Sequence, residues 1–203
     1  YLYNTNCELM YFPHTLVFKT WETKFYHKEV TTEFLYSLPI PRDNPDGVNF
    51  SPGSYVIKRP HSDQKYVILQ NNTVAKISDE VAKKLYNNQG GNNIKTIGPA
   101  EWSNYTKQTS DIDTAMPHPG MLIKTNNTIY YVYIDGTLKE VTKNGFIANK
   151  FQKNFVHKID SDLLEGMIYC NKLDGAIPAI YDKSQLSTYP SNKCDDPALP
   201  SSS

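Results

Sequence analysis

The sequence predicts an α+β protein that is mainly β. It would consist of two tandem small β-rich modules with one short helix each, plus an N-terminal β-rich segment. Two observations carry this prediction: apolar and polar residues alternate in short runs that meet at turn residues, and four such blocks recur in order. The 203 residues suffice for two or three small domains, and 12% aromatic residues supply large side chains for small cores.

The repeat consists of four blocks that recur at an offset of 62 to 67 residues. The matched blocks are Gly53–Lys58 with Gly120–Lys124, Lys65–Ser78 with Ile129–Thr142, Val81–Tyr86 with Phe146–Phe151, and Ile94–Trp102 with Val156–Leu164. The offset changes in turns and loops, where insertions are tolerated. We therefore expect two copies of one module, each too small to be stable alone and sharing a core with the other.

Each module begins with a strand, "YVIK" or "LIK", followed by a hairpin. The hairpin runs alternate about Asn71-Asn72 in the first module and Asp135-Gly136 in the second. Asp-Gly accepts the positive φ angles of a two-residue type I′ turn, and Asn also tolerates left-handed conformations. Each module therefore starts with three predicted strands.

A short helix and a closing strand complete each module. Ser78 followed by Asp79 and Glu80 is typical of a helix N-terminus, and Thr142 is the matching cap in the second module. The runs "IKTI" and "VHKI" predict the closing strands, each followed by a short turn. The predicted core is Ile57, Tyr66, Ile68, Ile77, Leu85 and Ile97, with Ile123, Tyr131, Tyr133, Val141, Phe151 and Ile159 in the second module.

The two ends of the chain differ from the modules. Residues 1–47 are either an N-terminal arm or a degenerate third repeat that begins at "LVFK", because terminal copies in repeat arrays are often atypical. We place the first module at residues 48–110 and the second at 111–169. Residues 170–203 form a tail that a disulfide would cross-link.

Three cysteines occur in the chain. A disulfide between Cys170 and Cys194 would close a loop of 25 residues and stabilise the protein by roughly 3 kcal/mol. Two separate free thiols are the alternative. Cys7 is then left over, and it is either buried or paired with another chain.

The bulk composition excludes several classes of protein. Lysine and arginine number 21, as do aspartate and glutamate, and the sequence shows no basic stripe, so we expect no nucleic-acid partner. No run approaches the roughly 18 apolar residues of a membrane span. The chain begins at Tyr1 and shows no signal peptide, so we expect either processing or a start inside a longer chain.

No pattern indicates a catalytic, cofactor or metal site. The five histidines lack zinc-ligand spacing, and neither Asp111–Asp113 nor "DSDLLEG" matches a calcium loop. A solvated turn and a helix cap account for these acidic residues. The chain also has no phosphate loop or dinucleotide fingerprint. We expect no enzyme and no cofactor, with a hydrolase whose carboxylates lie far apart in sequence as the catalytic alternative.

Four Asn-x-Ser/Thr sequons, at Asn49, Asn71, Asn104 and Asn126, are candidate glycosylation sites. Asn71 and Asn126 fall at predicted turns, where a glycan would be exposed. The alternative is chance, because a chain rich in Asn, Ser and Thr produces such triplets.

The repeated pattern resembles a tandem module of bacterial extracellular, S-layer-like surface proteins. The resemblance rests on G-x-L-I/V-K, then Y-Y-V-x-x-D-G-x-L-K-x-V, a short helix centred on an aromatic residue, and a closing V-x-x-I phrase. It covers roughly residues 53–102 and 120–166, and Leu138 and Val74 stand where the family usually has an aromatic residue. The resemblance implies a secreted, multi-copy surface or filament component, and it brings no catalytic residues.

Residues 1–12, "YLYNTNCELMYF", combine β-forming and aromatic residues with almost no charge. We expect a strand of this kind to be buried within the chain or paired with the open sheet edge of a neighbouring subunit. The candidate self-assembly residues are Tyr1, Leu2, Tyr3, Cys7, Leu9 and Tyr11.

Together these features predict a secreted structural protein that binds copies of itself in a surface filament or layer. The alternative is an adhesion or glycan-binding module, with Trp21 and Trp102 as candidate sugar-stacking residues. Both tryptophans are equally consistent with core packing.

Overall fold

The computed structural model describes residues 2–3, 9–21, 30–39, 47–87 and 93–177 of the chain. These residues form an N-terminal segment followed by two five-stranded sheets. The elements of the N-terminal segment are β1 (Leu2–Tyr3), β2 (Leu9–Met10), α1 (Thr15–Trp21) and α2 (Thr32–Tyr36).

The first module contains a mixed sheet of order β6-β3-β4-β5-β7. Its elements are β3 (Val56–Lys58), β4 (Lys65–Ile68), β5 (Thr73–Ile77), α3 (Asp79–Leu85), β6 (Ile94–Thr96), α4 (Pro99–Ser103) and β7 (Thr106–Lys107). Strands β3, β4 and β5 form an antiparallel meander, while β6 pairs parallel with β3 and β7 pairs parallel with β5.

The second module repeats this arrangement in a sheet of order β11-β8-β9-β10-β12. Its elements are β8 (Leu122–Thr125), β9 (Thr128–Val132), β10 (Leu138–Val141), α5 (Lys143–Ala148), a 3₁₀ helix (Lys153–Phe155), β11 (Val156–Lys158), a 3₁₀ helix (Ser161–Leu164) and β12 (Tyr169–Leu173). The meander is again antiparallel and both outer strands are again parallel to their neighbours. The fold class is therefore as predicted, and the hairpins and helices run in the same order in both copies.

Each sheet has a fifth strand that the sequence did not predict. In the second module this strand, β12, continues the sheet past residue 169 into the segment assigned to the tail. In the first module β7 is only two residues long, too short to show a periodic pattern.

The two hairpin turns differ from each other. Asn71 and Asn72 both have positive φ angles, of 59° and 52°, as a type I′ turn requires. An amide-to-carbonyl hydrogen bond crosses both loops, from Leu69 to Thr73 and from Tyr133 to Thr137, but in the second loop Gly136 alone has a positive φ, of 83°. The two-residue turn predicted at Asp135-Gly136 was therefore wrong: a three-residue loop with Gly in the left-handed position competes with it.

Both predicted helix caps are present. The Ser78 side chain accepts a hydrogen bond from the Val81 amide at the start of α3. The Thr142 side chain accepts a hydrogen bond from the Gly145 amide at the start of α5. The matched caps place α3 and α5 on equivalent faces of their sheets.

The two faces of each sheet can be defined by this helix. In the first sheet, Val56, Val67 and Ala75 lie on the face that α3 covers, which we call the helix face. Ile57, Ile68 and Val74 lie on the opposite face, which we call the bare face. Strand pairing makes Ile123, Val132 and Leu138 of the second sheet the equivalents of these three bare-face residues.

The modules stack front to back. Ile123, Val132 and Leu138 are buried in the same apolar cluster as α3 and the helix face of the first sheet. The bare face of the second module therefore packs on the helix face of the first. Two copies in the same orientation share one core, and the helix face of the second module lies at the end of the stack.

This end position explains which predicted core residues are incompletely buried. Ile57, Ile68, Ile77, Leu85, Ile97, Ile123, Tyr133 and Ile159 are buried as predicted. Tyr131, Val141 and Phe151 are only half-buried because they lie on or beside the helix face of the second module, which no further module covers. Tyr66 is half-buried on the bare face of the first sheet, against the Trp102 ring.

The N-terminal segment covers the bare face of the first sheet. Val17 of α1 is fully buried in one cluster with Ile57, Ile68 and Val74. The segment "LVFK" lies in α1 and is not a strand, so the described part of residues 1–47 does not follow the module pattern. It also holds more helix than the β-rich segment we predicted.

Candidate functional site: a lysine-lined groove on the second module

An open groove of about 1240 Å³ lies on the helix face of the second module. It is lined by Ile129, Val141 and Val156 of the sheet and by Phe146 and Ile147 of α5. The lysines around it are Lys95, Lys124, Lys143, Lys153 and Lys158; we call this surface the lysine groove.

The groove carries an excess of positive charge, whereas the whole chain has no net charge. Five lysines line it against one acidic residue, Glu140, and Glu140 is paired with Lys172 at 2.9 Å. Lys143, Lys153 and Lys158 are exposed, and no ion pair involves any of the five lysines within the described ranges. The groove therefore presents several cations to solvent.

The same positions of the first module have different chemistry. The residue after the helix cap is Lys143 in the second module and Asp79 in the first, where it pairs with Lys65. Lys158 of β11 corresponds by strand register to Thr96 of β6. In the first module this face is packed against another module, and in the second it is basic and open.

A smaller cavity of about 110 Å³ lies at the other end of this face, against α1. Trp21, Tyr131, Tyr133 and Phe151 contribute to its walls. Lys139 of β10, which pairs with Tyr131, is fully buried, with its ammonium 4.4 Å from the centre of the Tyr133 ring. Strand pairing places Lys139 where the first module has Ala75, so this part of the helix face also differs in charge between the modules.

Two histidines and a tyrosine are buried where the modules meet. The Tyr86 hydroxyl lies 2.6 Å from His118 Nε2, and the Tyr86 ring packs edge-on against His157 at 4.7 Å between centroids. His157 Nε2 lies 3.0 Å from the Gly53 carbonyl oxygen and donates a hydrogen bond to it. Burial lowers the pKa of His118 and of His157 to about 4, so both rings are neutral at pH 7.

Two glycines lie where the backbones of the two modules approach each other closely. Gly53 and Gly120 are equivalent residues with positive φ angles of 73° and 95°. A Cβ at Gly53 would lie 2.5 Å from the Met121 amide nitrogen, and one at Gly120 would lie 2.6 Å from the Pro52 carbonyl oxygen. Both positions require glycine to let the modules touch.

The tryptophans singled out as sugar-stacking candidates are half-buried, and both pack against the apolar cluster beneath the bare face of the first sheet. The Trp21 indole N–H donates to the Asn49 carbonyl oxygen at 2.6 Å. Trp102 packs on Tyr66, with Arg59 and Lys107 over its ring. The core alternative considered for both residues accounts for their position.

The four sequons lie in different environments. Asn71 and Asn126 are in turns with positive φ, and Asn104 ends α4. Asn49 is buried, and its Nδ2 donates to the Asn104 carbonyl oxygen at 3.3 Å. A glycan on Asn49 would break this contact, so the structure argues against that site, and glycosylation of the others stays a prediction.

The cysteines are only partly within the described residues. Cys170 lies in β12, and it is disulfide-bonded. Cys194 and Cys7 lie outside the described residues, so the pairing of Cys170 with Cys194 stays a prediction.

Three of the candidate self-assembly residues, Leu2, Tyr3 and Leu9, lie in a small two-stranded ribbon. Leu2 and Tyr3 of β1 pair antiparallel with Met10 and Leu9 of β2. The Tyr11 carbonyl oxygen accepts a hydrogen bond from the Val48 amide at 2.8 Å. Tyr1 and Cys7 lie outside the described residues, and strand donation to a neighbour stays a prediction.

The described residues contain no group of three or more histidine, cysteine or acidic side chains suited to a metal ion. No helix in the described part of the chain is long and apolar enough to cross a bilayer. No family model, curated protein or solved structure matches the chain. The structure and chemistry of its own residues therefore carry the functional argument.

Proposed function

We propose that this chain is a secreted, non-catalytic structural protein, a subunit of a surface filament or layer that binds copies of itself through β-strand contacts. The observation that supports this most is the front-to-back stacking of its two modules. Different faces meet in this contact, as in an array that extends and does not close on itself. Because the N-terminal segment covers the bare face of the first sheet, contacts between copies would use the sheet edges. Arrays of this kind are stabilised by contacts between successive repeats, which suits a load-bearing role.

The edge strand β12 offers a contact surface for a second copy. It pairs with β10 on one side, and the described residues provide no strand on its other side. Ile168 and Tyr169 at its start are 48% and 56% exposed. An edge of this kind favours strand addition. The equivalent edge of the first module, β7, carries the exposed polar residues Thr106 and Lys107 instead.

The proposal is tested by placing a charge on this edge. Ile168→Lys leaves the hydrogen bond from the Leu138 amide to the residue 168 carbonyl oxygen in place, since only the side chain changes. We expect the unmodified protein to form oligomers that grow with concentration, measured by sedimentation velocity and electron microscopy, and Ile168→Lys to suppress them. Thr106→Lys on the equivalent polar edge is the matched control and should assemble normally. A wild-type protein that stays monomeric at high concentration would remove the basis for self-assembly.

A second candidate function, glycan binding, is favoured by a separate observation. The lysine groove is open, basic and lined by amide and hydroxyl groups as well as by lysines. It differs from the tryptophan-based site predicted from the sequence. The two candidate functions use different surfaces of the protein, so each can be tested alone.

A further inference from the structure

We propose that the lysine groove binds an extended acidic polysaccharide, one that carries carboxylate or sulfate groups along its length. The proposal deepens the glycan-binding candidate and does not depend on self-assembly. The first evidence for it is the excess of lysines in this groove, although the whole chain has no net charge. Clustered cations in a concave surface focus the electrostatic field and attract a polyanion.

Lys124 and Lys158 are neighbours across two paired strands, and the other three lysines of the groove lie on other elements. Lys95 belongs to β6 of the first module, Lys124 and Lys158 to neighbouring strands of the second, and Lys143 to α5. The site therefore crosses the joint between the modules. Its volume of about 1240 Å³ exceeds the roughly 300–1,000 Å³ of small-molecule pockets. Cations from several elements in a large open groove fit a polymer with repeated negative charges better than a single small anion.

The other groups of the groove favour a polysaccharide over a nucleic acid. Single-stranded nucleic acids are held by exposed aromatic rings on which bases stack. The aromatic rings here are occupied: Phe146 packs against Phe151 and Tyr55 is buried under the Lys95 ammonium. All five cations are lysines, with no arginine fork for phosphate. Asn127 and Thr128 supply the amide and hydroxyl partners that sugar hydroxyls need.

The first module supplies the substitutions for the test. Lys143→Asp and Lys158→Thr each install the residue that the first module has at the equivalent position. Aspartate is favourable at a helix N-terminus, and threonine is a good strand residue. The double variant should therefore fold, which circular dichroism and thermal unfolding will check. The control is Lys83→Asp with Lys84→Thr, which changes net charge equally on the exposed face of α3.

Binding is measured by isothermal titration calorimetry at low salt with heparin, polygalacturonate, neutral dextran, and single- and double-stranded DNA oligonucleotides. We expect the unmodified protein to bind heparin or polygalacturonate, to ignore dextran, and to lose affinity as salt is raised. The groove variant should bind at least about tenfold more weakly, while the control variant keeps its affinity. The proposal is overturned if neither acidic polysaccharide binds, if the groove variant binds as well as the control, or if DNA binds more tightly than both. Sedimentation of the groove variant separates this result from self-assembly, which these substitutions should leave unchanged.

Discussion

Acidification should destabilise this protein through the two histidines at the module joint. The perturbation is a decrease in pH from 8 to 5. Because burial lowers the pKa of His118 and of His157 to about 4, against 6.5 for an unperturbed ring, the folded protein binds fewer protons than the unfolded chain between these values. The stability that each neutral ring contributes is complete above pH 6.5 and is lost as the pH falls towards 4.

The magnitude follows from the difference between the two pKa values. At pH 5 an unfolded histidine with a pKa of 6.5 is mostly protonated, while the folded ring is mostly neutral. Linkage then gives a loss of about 2 kcal/mol for each histidine relative to pH 8, and about 4 kcal/mol for both. The tyrosine between them does not compensate, because burial raises the pKa of Tyr86 well above its usual value and keeps it neutral. A loss of this size is a large part of a typical stability of about 5–15 kcal/mol.

The assay is urea denaturation of the wild-type protein and of the double variant His118→Gln/His157→Gln, at pH 8, 6.5 and 5. Glutamine is neutral at each pH, so the variant should lose much less stability between pH 8 and pH 5 than the wild type does. The pH dependence is the readout, because the variant will also differ in absolute stability. The reasoning is refuted if wild type and variant lose the same free energy of unfolding between pH 8 and pH 5.

Three further predictions concern stability, each measured by urea denaturation at pH 7.5. Ile159→Ala should cost about 2–4 kcal/mol, since Ile159 is only 8% exposed in the shared core, and a loss below about 1 kcal/mol would contradict that packing. Gly53→Ala should cost about 1–3 kcal/mol more than Gly136→Ala, because both glycines have positive φ but only Gly53 contacts the other module; equal costs would contradict the close approach. Cys194→Ser should cost roughly 3 kcal/mol if Cys194 pairs with Cys170, and no loss would exclude that pairing.

The repeat was predictable because its signals are local. Ser78 and Thr142 mark helix starts within three residues of the groups they bind, and Asn71-Asn72 marks a tight turn by its own conformational preference. Each of these features needs only a few neighbouring residues. Two copies of the same local signals then indicate two copies of one module.

The way the modules pack was not predictable from the same patterns. Both faces of the first sheet are apolar, so alternation alone does not show which face meets the other module. Lys139 lies in the run "TLKEV", where a lysine normally faces solvent, yet it is fully buried. Its ammonium packs against the Tyr133 ring, a contact with a neighbouring segment that the run itself does not reveal.

The lysine groove was missed for a related reason. Its cations lie between residues 95 and 158, on five elements of two modules, and the overall charge is zero. A signal was nevertheless present in the repeat alignment. Asp79 and Lys143 follow the matched helix caps, so comparing the charge of equivalent residues would have shown that one module is basic where the other is acidic.

The front-to-back stack is the central claim, and nuclear Overhauser effects between aromatic rings test it most directly. Tyr86 follows the helix of the first module, and its ring lies 4.7 Å from that of His157 in the second sheet. A spectrum of the full chain at pH 7.5 should show cross-peaks between the Tyr86 and His157 rings. If the helix faces of both modules met instead, Tyr86 would lie against Phe146 and Phe151. Cross-peaks from Tyr86 to those rings, without any to His157, would contradict the account.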